Sequence, residues 1–264
     1  MNKANQSGST IVVIMVVVVL LTIIGAMAMR GSIFGLRIAT NSQANNIMDQ
    51  NNDASFYYIE NLDFIKKQLI GTGLLGFSKM EANRNKELVL CYRGKSLKFY
   101  QLGQASLIYS ELSLNDKDEP EEKVKIEHIG GSSNMGFCQV DSDKSDFVSG
   151  RGAAMTQISV RVSGLTEEDE AFSHYQIGTD VETGKLEDTM RVIVTSTTLM
   201  PVLSSATDTT INNCMMNLSY IDDPDSSLQT VSECLSEAGV PFKTQVSEYN
   251  LGQFIKKYVA PPSA

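Results

Sequence analysis

The residues best placed for covalent chemistry are four cysteines, Cys91, Cys138, Cys214 and Cys234. None belongs to a Cys-x-x-Cys pair, so the spacing does not support a zinc or thioredoxin-like site. An even number of cysteines is typical of disulfides in an oxidising compartment. Four cysteines allow three pairings, and we favour Cys91–Cys138 with Cys214–Cys234 because each pair lies within one segment. The alternative is four buried free thiols.

Two acidic stretches place oxygen-bearing side chains at alternate positions, as calcium loops do. The first contains Asp141 and Asp143, and the second contains Asp222 and Asp225. Neither has the glycine and the distal glutamate of an EF-hand loop. Aspartate, serine and proline at this density are also typical of plain turns. We therefore expect no cofactor, with calcium as the alternative at these two stretches.

The remaining polar residues give no pattern of a catalytic centre. His128 and His174 are 46 positions apart, and both lie in contexts typical of strand edges. Two half-exposed structural histidines are the simplest interpretation. We expect this protein not to be an enzyme.

The charges are distributed unevenly along the chain. No acidic residue precedes Asp49, so residues 49–264 hold all 31 acidic residues and 19 of the 22 basic ones, a net charge of −12. Such a surface repels nucleic acid, and we expect no nucleic-acid partner.

The most distinctive segment is an uncharged apolar run of 19 residues from Ile11 to Met29. At about 1.5 Å per residue this run reaches ~28 Å, close to the ~30 Å hydrocarbon core of a bilayer. A lone segment in lipid must be helical, because only a helix pairs its own backbone groups. The run therefore predicts a transmembrane helix.

The residues before this run carry a family resemblance. A short polar leader, residues 1–8, ends in Gly8 immediately before the apolar block. This arrangement resembles the signal of type IV prepilins. The resemblance implies that a prepilin peptidase cleaves after Gly8 and methylates Ser9, and that the helix is kept as an anchor and then as filament core.

One position distinguishes the members of this family. Major pilins carry a glutamate five residues into the mature chain, where this sequence has Val13. Minor pilins of the PilX type lack that glutamate, and residues 22–39 resemble their pattern of Gly, small residues, Met-Arg and Arg-hydrophobic-Ala. The resemblance implies a priming or tip subunit of a type IV pilus. Its partners would be other minor pilins, the major pilin and a tip adhesin.

The resemblance also implies a location. The protein would be single-pass in the inner membrane with a periplasmic head, and later extracellular in the pilus. The alternatives are a K-type minor pseudopilin of type II secretion and a single-pass periplasmic protein of another function. A cleaved secretory signal is a further alternative, although the apolar run exceeds the usual 7–15-residue core.

The elements downstream predict an α+β fold. Apolar residues recur at helical spacing at Ile47, Ala54, Tyr58, Leu62, Ile65 and Leu69. They predict a pilin-like helix over 9–70, with a break at Gly31 or Gly35 and with Asn52 on the outward face. Residues 75–264 are expected to form a β-rich head whose antiparallel sheet packs on this helix. Within it, 88–92 and 96–100 predict a hairpin, 157–163 predict an alternating strand, and 227–238 predict a short helix.

Overall fold

The computed structural model describes residues 9–61, 67–94, 98–114, 120–130, 136–141, 145–148, 151–163, 191–221 and 226–250. The chain divides into two compact units, Met1–Asn46 and Ile47–Ala264. The second unit begins well before residue 75, because it includes the last part of the long helix, Ile47–Glu60, nearly four turns that pack on the sheet.

The long helix α1 spans Ser9–Glu60, 52 residues. It continues through Gly31 and Gly35, so the expected break there is wrong. It also ends earlier than residue 70: Asn61 is not helical, and residues 67–69 are helical again. The expected positions Leu62 and Ile65 lie outside the described residues.

The strands of the described residues form one antiparallel sheet in the order β3-β2-β1-β4-β5-β6. Their bounds are Glu87–Tyr92 for β1, Ala105–Leu114 for β2, Pro120–His128 for β3, Met155–Ser163 for β4, Arg191–Leu199 for β5 and Phe242–Asn250 for β6. The α+β class with a long apolar amino-terminal helix is confirmed.

The expected hairpin is half right. Residues 88–92 belong to β1, but residues 98–100 are not in a strand, and 95–97 lie outside the described residues. Instead β1 lies inside the sheet, between β2 and the sequence-distant β4, where Leu88 is opposite both Leu107 and Val160. The strand expected at 157–163 is confirmed within β4.

One face of the sheet packs on α1 and on the short helix α2, Leu74–Ser78, and we call this side the helix layer. Phe56 and Ile59 of α1 meet Leu88, Leu90 and other buried side chains of the central strands. These others are Ala105, Leu107, Ile158, Val160, Val162, Val192 and Val194. Full burial of side chains of this size stabilises a fold by roughly 1.5–3 kcal/mol each, so the layer is the main core of this unit.

The opposite face is covered by the disulfide layer, made by residues 136–141, 145–148, 208–221 and 226–240 against the odd-numbered side chains of β1 and β4. Two further helices lie in it, α3 at Asp208–Met215 and α4 at Val231–Glu237. The structure joins Cys91 to Cys138 and Cys214 to Cys234, the pairing favoured from the sequence.

Local chemistry explains where α4 begins and ends. Thr230 accepts a hydrogen bond from Glu233 N while the Glu233 side chain accepts from Thr230 N, a capping box. At the other end Gly239 adopts a φ of +66°, and its amide donates to Ser236 O. Glycine favours this left-handed position because it has no Cβ. The helix expected over 227–238 is therefore present, but shorter.

Replacing Cys214 and Cys234 together by serine is expected to destabilise the chain. The bond closes a 20-residue segment, and a loop of that size is worth about 3 kcal/mol through the entropy of the unfolded chain. Urea unfolding of the full chain in detergent micelles measures this loss. Ser204→Ala and Ser236→Ala together serve as the control, and a double cysteine variant as stable as this control contradicts the prediction.

Candidate interaction surface

The apolar part of α1 has its side chains exposed around the whole helix. From Ile11 to Leu21 each large apolar side chain keeps about half or more of its surface, with 47% for Val17 and 66% for Met15. Within the described residues, α1 is the one helix long and apolar enough to cross a membrane. A helix that is hydrophobic all round requires lipid or other apolar helices around it.

Three glycines of α1 have no packing role in their own chain. A Cβ placed on Gly25, Gly31 or Gly35 would meet no atom within 4 Å. Glycine in a helix interior costs about 1 kcal/mol relative to alanine. In apolar helices small residues allow neighbouring backbones to approach closely. These three glycines therefore destabilise the isolated helix, and they leave room for a second apolar helix to approach its backbone closely.

The second half of α1 is joined to the edge strand β6 by polar contacts. Lys243 Nζ lies 2.6 Å from Asp49 Oδ1, and the Tyr249 hydroxyl donates to Glu60 Oε1 at 2.6 Å. Burial, and then the hydrogen bond to Glu60, raise the pKa of Tyr249 above its ordinary value. The tyrosine therefore remains a hydrogen-bond donor across the physiological pH range.

A buried carboxylate lies on the other face of the sheet. Glu87, at the start of β1, is 2% exposed. Its Oε2 accepts from Ser159 Oγ at 2.6 Å, Ser219 Oγ at 2.6 Å and Ser219 N at 3.0 Å, and its Oε1 accepts from Tyr220 N at 3.0 Å. Since both oxygens are occupied by donors from the protein, Glu87 holds residues 219–220 on the sheet.

Beside Glu87 lies a cavity of about 240 Å³. Its walls include Glu122, Arg161 and Tyr220, with the Arg161 guanidinium 5.9 Å from the centre of the Tyr220 ring. Glu122 Oε2 accepts from Ser226 Oγ at 2.5 Å. Ligand sites usually enclose about 300–1,000 Å³. The small volume of the cavity, and the contacts that its wall side chains make with each other and with Ser226, favour a structural role for these residues.

The calcium candidates are only partly described. Asp141 is exposed, and its Oδ2 lies 3.5 Å from Ser145 Oγ. Asp143, Asp222 and Asp225 lie outside the described residues. Among the residues with a described placement, no group of three or more His, Cys, Asp or Glu could hold a metal ion.

Sequence reasoning missed the role of Asp146, which closes the first of those stretches. This residue is buried, with Oδ1 accepting from Arg93 Nε at 2.6 Å and Oδ2 accepting from Gln139 N at 2.9 Å. Its carbonyl oxygen also lies 3.6 Å from Cys91 Sγ. Asp146 thus fixes the loop that carries the Cys91–Cys138 disulfide.

The structure does not bring the two histidines and the residues of the expected cleavage site together within its described part. His128 is exposed on the edge strand β3, with Nδ1 3.1 Å from Ser106 Oγ. Ser106 itself is completely buried, so this contact is unsuited to nucleophilic attack on a substrate. His174 and Gly8 lie outside the described residues, and Ser9 is the first residue of α1.

Comparisons of this chain with protein-family models, with curated proteins and with solved structures found no match. The feature with the clearest need for a partner is the exposed apolar half of α1.

Proposed function

We propose that this chain is a minor pilin that primes assembly of a type IV pilus and lies at or near its tip. The observation that carries the proposal is the apolar surface of Ile11–Met29, which its own chain leaves exposed on all sides. In this proposal the surface first lies in the inner membrane and later packs against the helices of other minor pilins and the major pilin.

The properties of the second unit support a role outside the cytoplasm. It carries two disulfides, which form and persist in oxidising compartments. We propose that it lies in the periplasm and, after assembly, outside the cell, where it contacts a tip adhesin. The activity is binding between subunits, and no catalytic step is included.

The absence of a carboxylate at Val13 supports a terminal position. A glutamate in an apolar helix bundle is costly unless it meets a cation. With Val13 in its place, this subunit has no buried charge that a neighbour must neutralise. A subunit of this kind fits the start or tip of a filament better than a repeated position along it.

Processing at the leader tests the proposal. In cells that express a prepilin peptidase, the parent chain is expected to lose residues 1–8 and to gain one methyl group on Ser9, as measured by intact-protein mass spectrometry. Gly8→Arg is expected to keep its full length, because the peptidase of this family requires the glycine at the border.

Asn5→Arg adds the same charge to the leader away from the border, and it is expected to be cleaved like the parent. Cleavage of Gly8→Arg at the parental level would refute the peptidase step. A mature chain that begins beyond Met29 would refute the whole proposal, because the apolar helix would then be absent from the finished protein.

A further inference from the structure

Four fully buried polar side chains lie where α1 packs on the sheet. Asn52 and Ser55 come from α1, and Ser196 and Thr198 come from β5, each with 0% of its surface exposed. We call these four residues the buried polar cluster. Apolar side chains lie around it, among them Phe56 and Val194. Polar groups in such surroundings stabilise a fold only when they are paired.

The Asn52 amide is paired at both ends. Its Oδ1 accepts from Ser196 Oγ at 2.9 Å and from Thr198 Oγ1 at 2.7 Å. Its Nδ2 donates to the carbonyl oxygen of Lys243, on β6, at 3.1 Å. One side chain of α1 therefore bonds to two adjacent strands of the sheet.

The other members complete the pairing. Ser55 Oγ lies 2.7 Å from the Asn52 carbonyl oxygen and 2.8 Å from Ser196 Oγ. Thr198 Oγ1 lies 2.8 Å from Thr156 Oγ1 on β4. Two pairs of hydroxyl groups, Ser55 with Ser196 and Thr156 with Thr198, are thus joined through the Asn52 amide oxygen.

A displacement of α1 by one turn would break this arrangement. It would bring Met48 or Phe56 to the place of Asn52, and Ser196 and Thr198 would lose their acceptor. Each buried donor left without a partner destabilises the displaced packing, because it has lost its hydrogen bonds to water and gained none within the protein. Apolar contacts discriminate less between the two positions, because Met48, Phe56 and Ile59 are all compatible with an apolar surface.

We propose that the buried polar cluster fixes the register of α1 on the sheet, with Asn52 as the residue that selects one position along the helix axis. A buried polar residue can specify register at some cost in stability, as a single asparagine does in coiled coils. The inference does not depend on the proposed function, because it concerns packing within Ile47–Ala264 alone.

Pulsed electron spin resonance on the full chain in detergent micelles tests this inference. Spin labels are attached at Tyr57→Cys on α1 and Val246→Cys on β6, both exposed positions. The four native cysteines are all in disulfides, so the added ones are labelled selectively. The all-apolar variant replaces the buried polar cluster and its neighbour by Asn52→Leu, Ser55→Ala, Thr156→Val, Ser196→Ala and Thr198→Val.

The parent is expected to give one narrow distance distribution. The all-apolar variant is expected to give a second population displaced by up to about 5 Å, the rise of one helical turn. The control removes a hydroxyl pair from the opposite face by Thr197→Val with Thr244→Val, whose oxygens lie 3.0 Å apart. This control is expected to keep the parental distribution. A single parental distance in the all-apolar variant would overturn the inference.

A second variant covers the case in which the all-apolar variant does not fold. Ser196→Ala with Thr198→Val keeps Asn52 but removes both donors to its Oδ1. Amide hydrogen exchange over residues 52–60 is expected to become at least tenfold faster, with exchange over β1 unchanged. Exchange over 52–60 at the parental rate would overturn the inference as well.

Discussion

Glu87→Ala is expected to lower the free energy of unfolding by about 4 kcal/mol, because one buried and three partly buried donors lose the charged acceptor that they share. The affected donors are the hydroxyl groups of Ser159 and Ser219 and the amides of Ser219 and Tyr220. In a chain of this size the loss corresponds to a fall of roughly 8–16 °C in the midpoint of thermal unfolding. Circular dichroism of the full chain in detergent measures it.

Glu111→Ala is the matched control for this prediction. This substitution removes the same charge from the adjacent strand β2. The Glu111 side chain, however, is 52% exposed, and its Oε2 lies 3.5 Å from Lys125 Nζ. Exposed pairs of this kind contribute about 0–1 kcal/mol. Equal thermal midpoints for the Glu87 and Glu111 variants would show that the buried carboxylate does not hold residues 219–220.

The second large effect is expected in the apolar half of α1. Val16→Asp with Leu20→Asp places two carboxylates near the centre of the apolar run, and each costs roughly 3 kcal/mol at the centre of a membrane helix. The combined cost of about 6 kcal/mol is expected to prevent stable membrane integration. Resistance to alkaline extraction of a membrane fraction measures integration.

Asn41→Asp with Asn45→Asp introduces the same two charges at the same spacing on an exposed part of α1 outside the run. This control is expected to resist alkaline extraction as the parent does. If the Val16 and Leu20 variant also remained in the membrane fraction, the anchor would have to lie elsewhere in the chain, contrary to the proposal.

Structural features that depend on residues close together in the chain could be predicted from the sequence. The apolar run predicts a helix because it has no charge and the length of a bilayer core, and α1 contains it. Residues 157–163 predict a strand because apolar side chains occupy every second position, and β4 contains them. The disulfide pairing followed from cysteine separation, which decides which cysteines meet most easily.

The buried face of α1 was predicted about one residue away from its true position. Ile47, Ala54 and Tyr58 are half-buried at the margin of the interface, whereas Met48, Asn52, Ser55, Phe56 and Ile59 are buried. Hydrophobic periodicity assigns polar residues to solvent, so it placed Asn52 outside. Its burial depends on hydroxyl partners in β5, about 140 positions later in the chain. No local pattern contains that information.

The edge strand β6 and the carboxylate of Glu87 were missed for related reasons. In β6 the side chains directed to the helix layer include Lys243 and Tyr249, which bond to α1, while Val246 is 59% exposed. The strand therefore lacks the apolar alternation that indicates a strand. Glu87 resembles a solvent-exposed charge until the backbone of residues 219–220 is brought to it.

The two faces of the sheet differ in how they are held together. Both cystine bonds lie in the disulfide layer, whereas the contacts described for the helix layer are apolar packing, hydrogen bonds and the Lys243–Asp49 ion pair. Synthesis in a reducing cytosol would therefore leave the disulfide layer without its two covalent bonds, whereas the contacts of the helix layer would be unchanged. A preparation made there is expected to contain chains with α1 seated normally and with loosened α3 and α4, so oxidative export is the appropriate route for producing material with both faces intact.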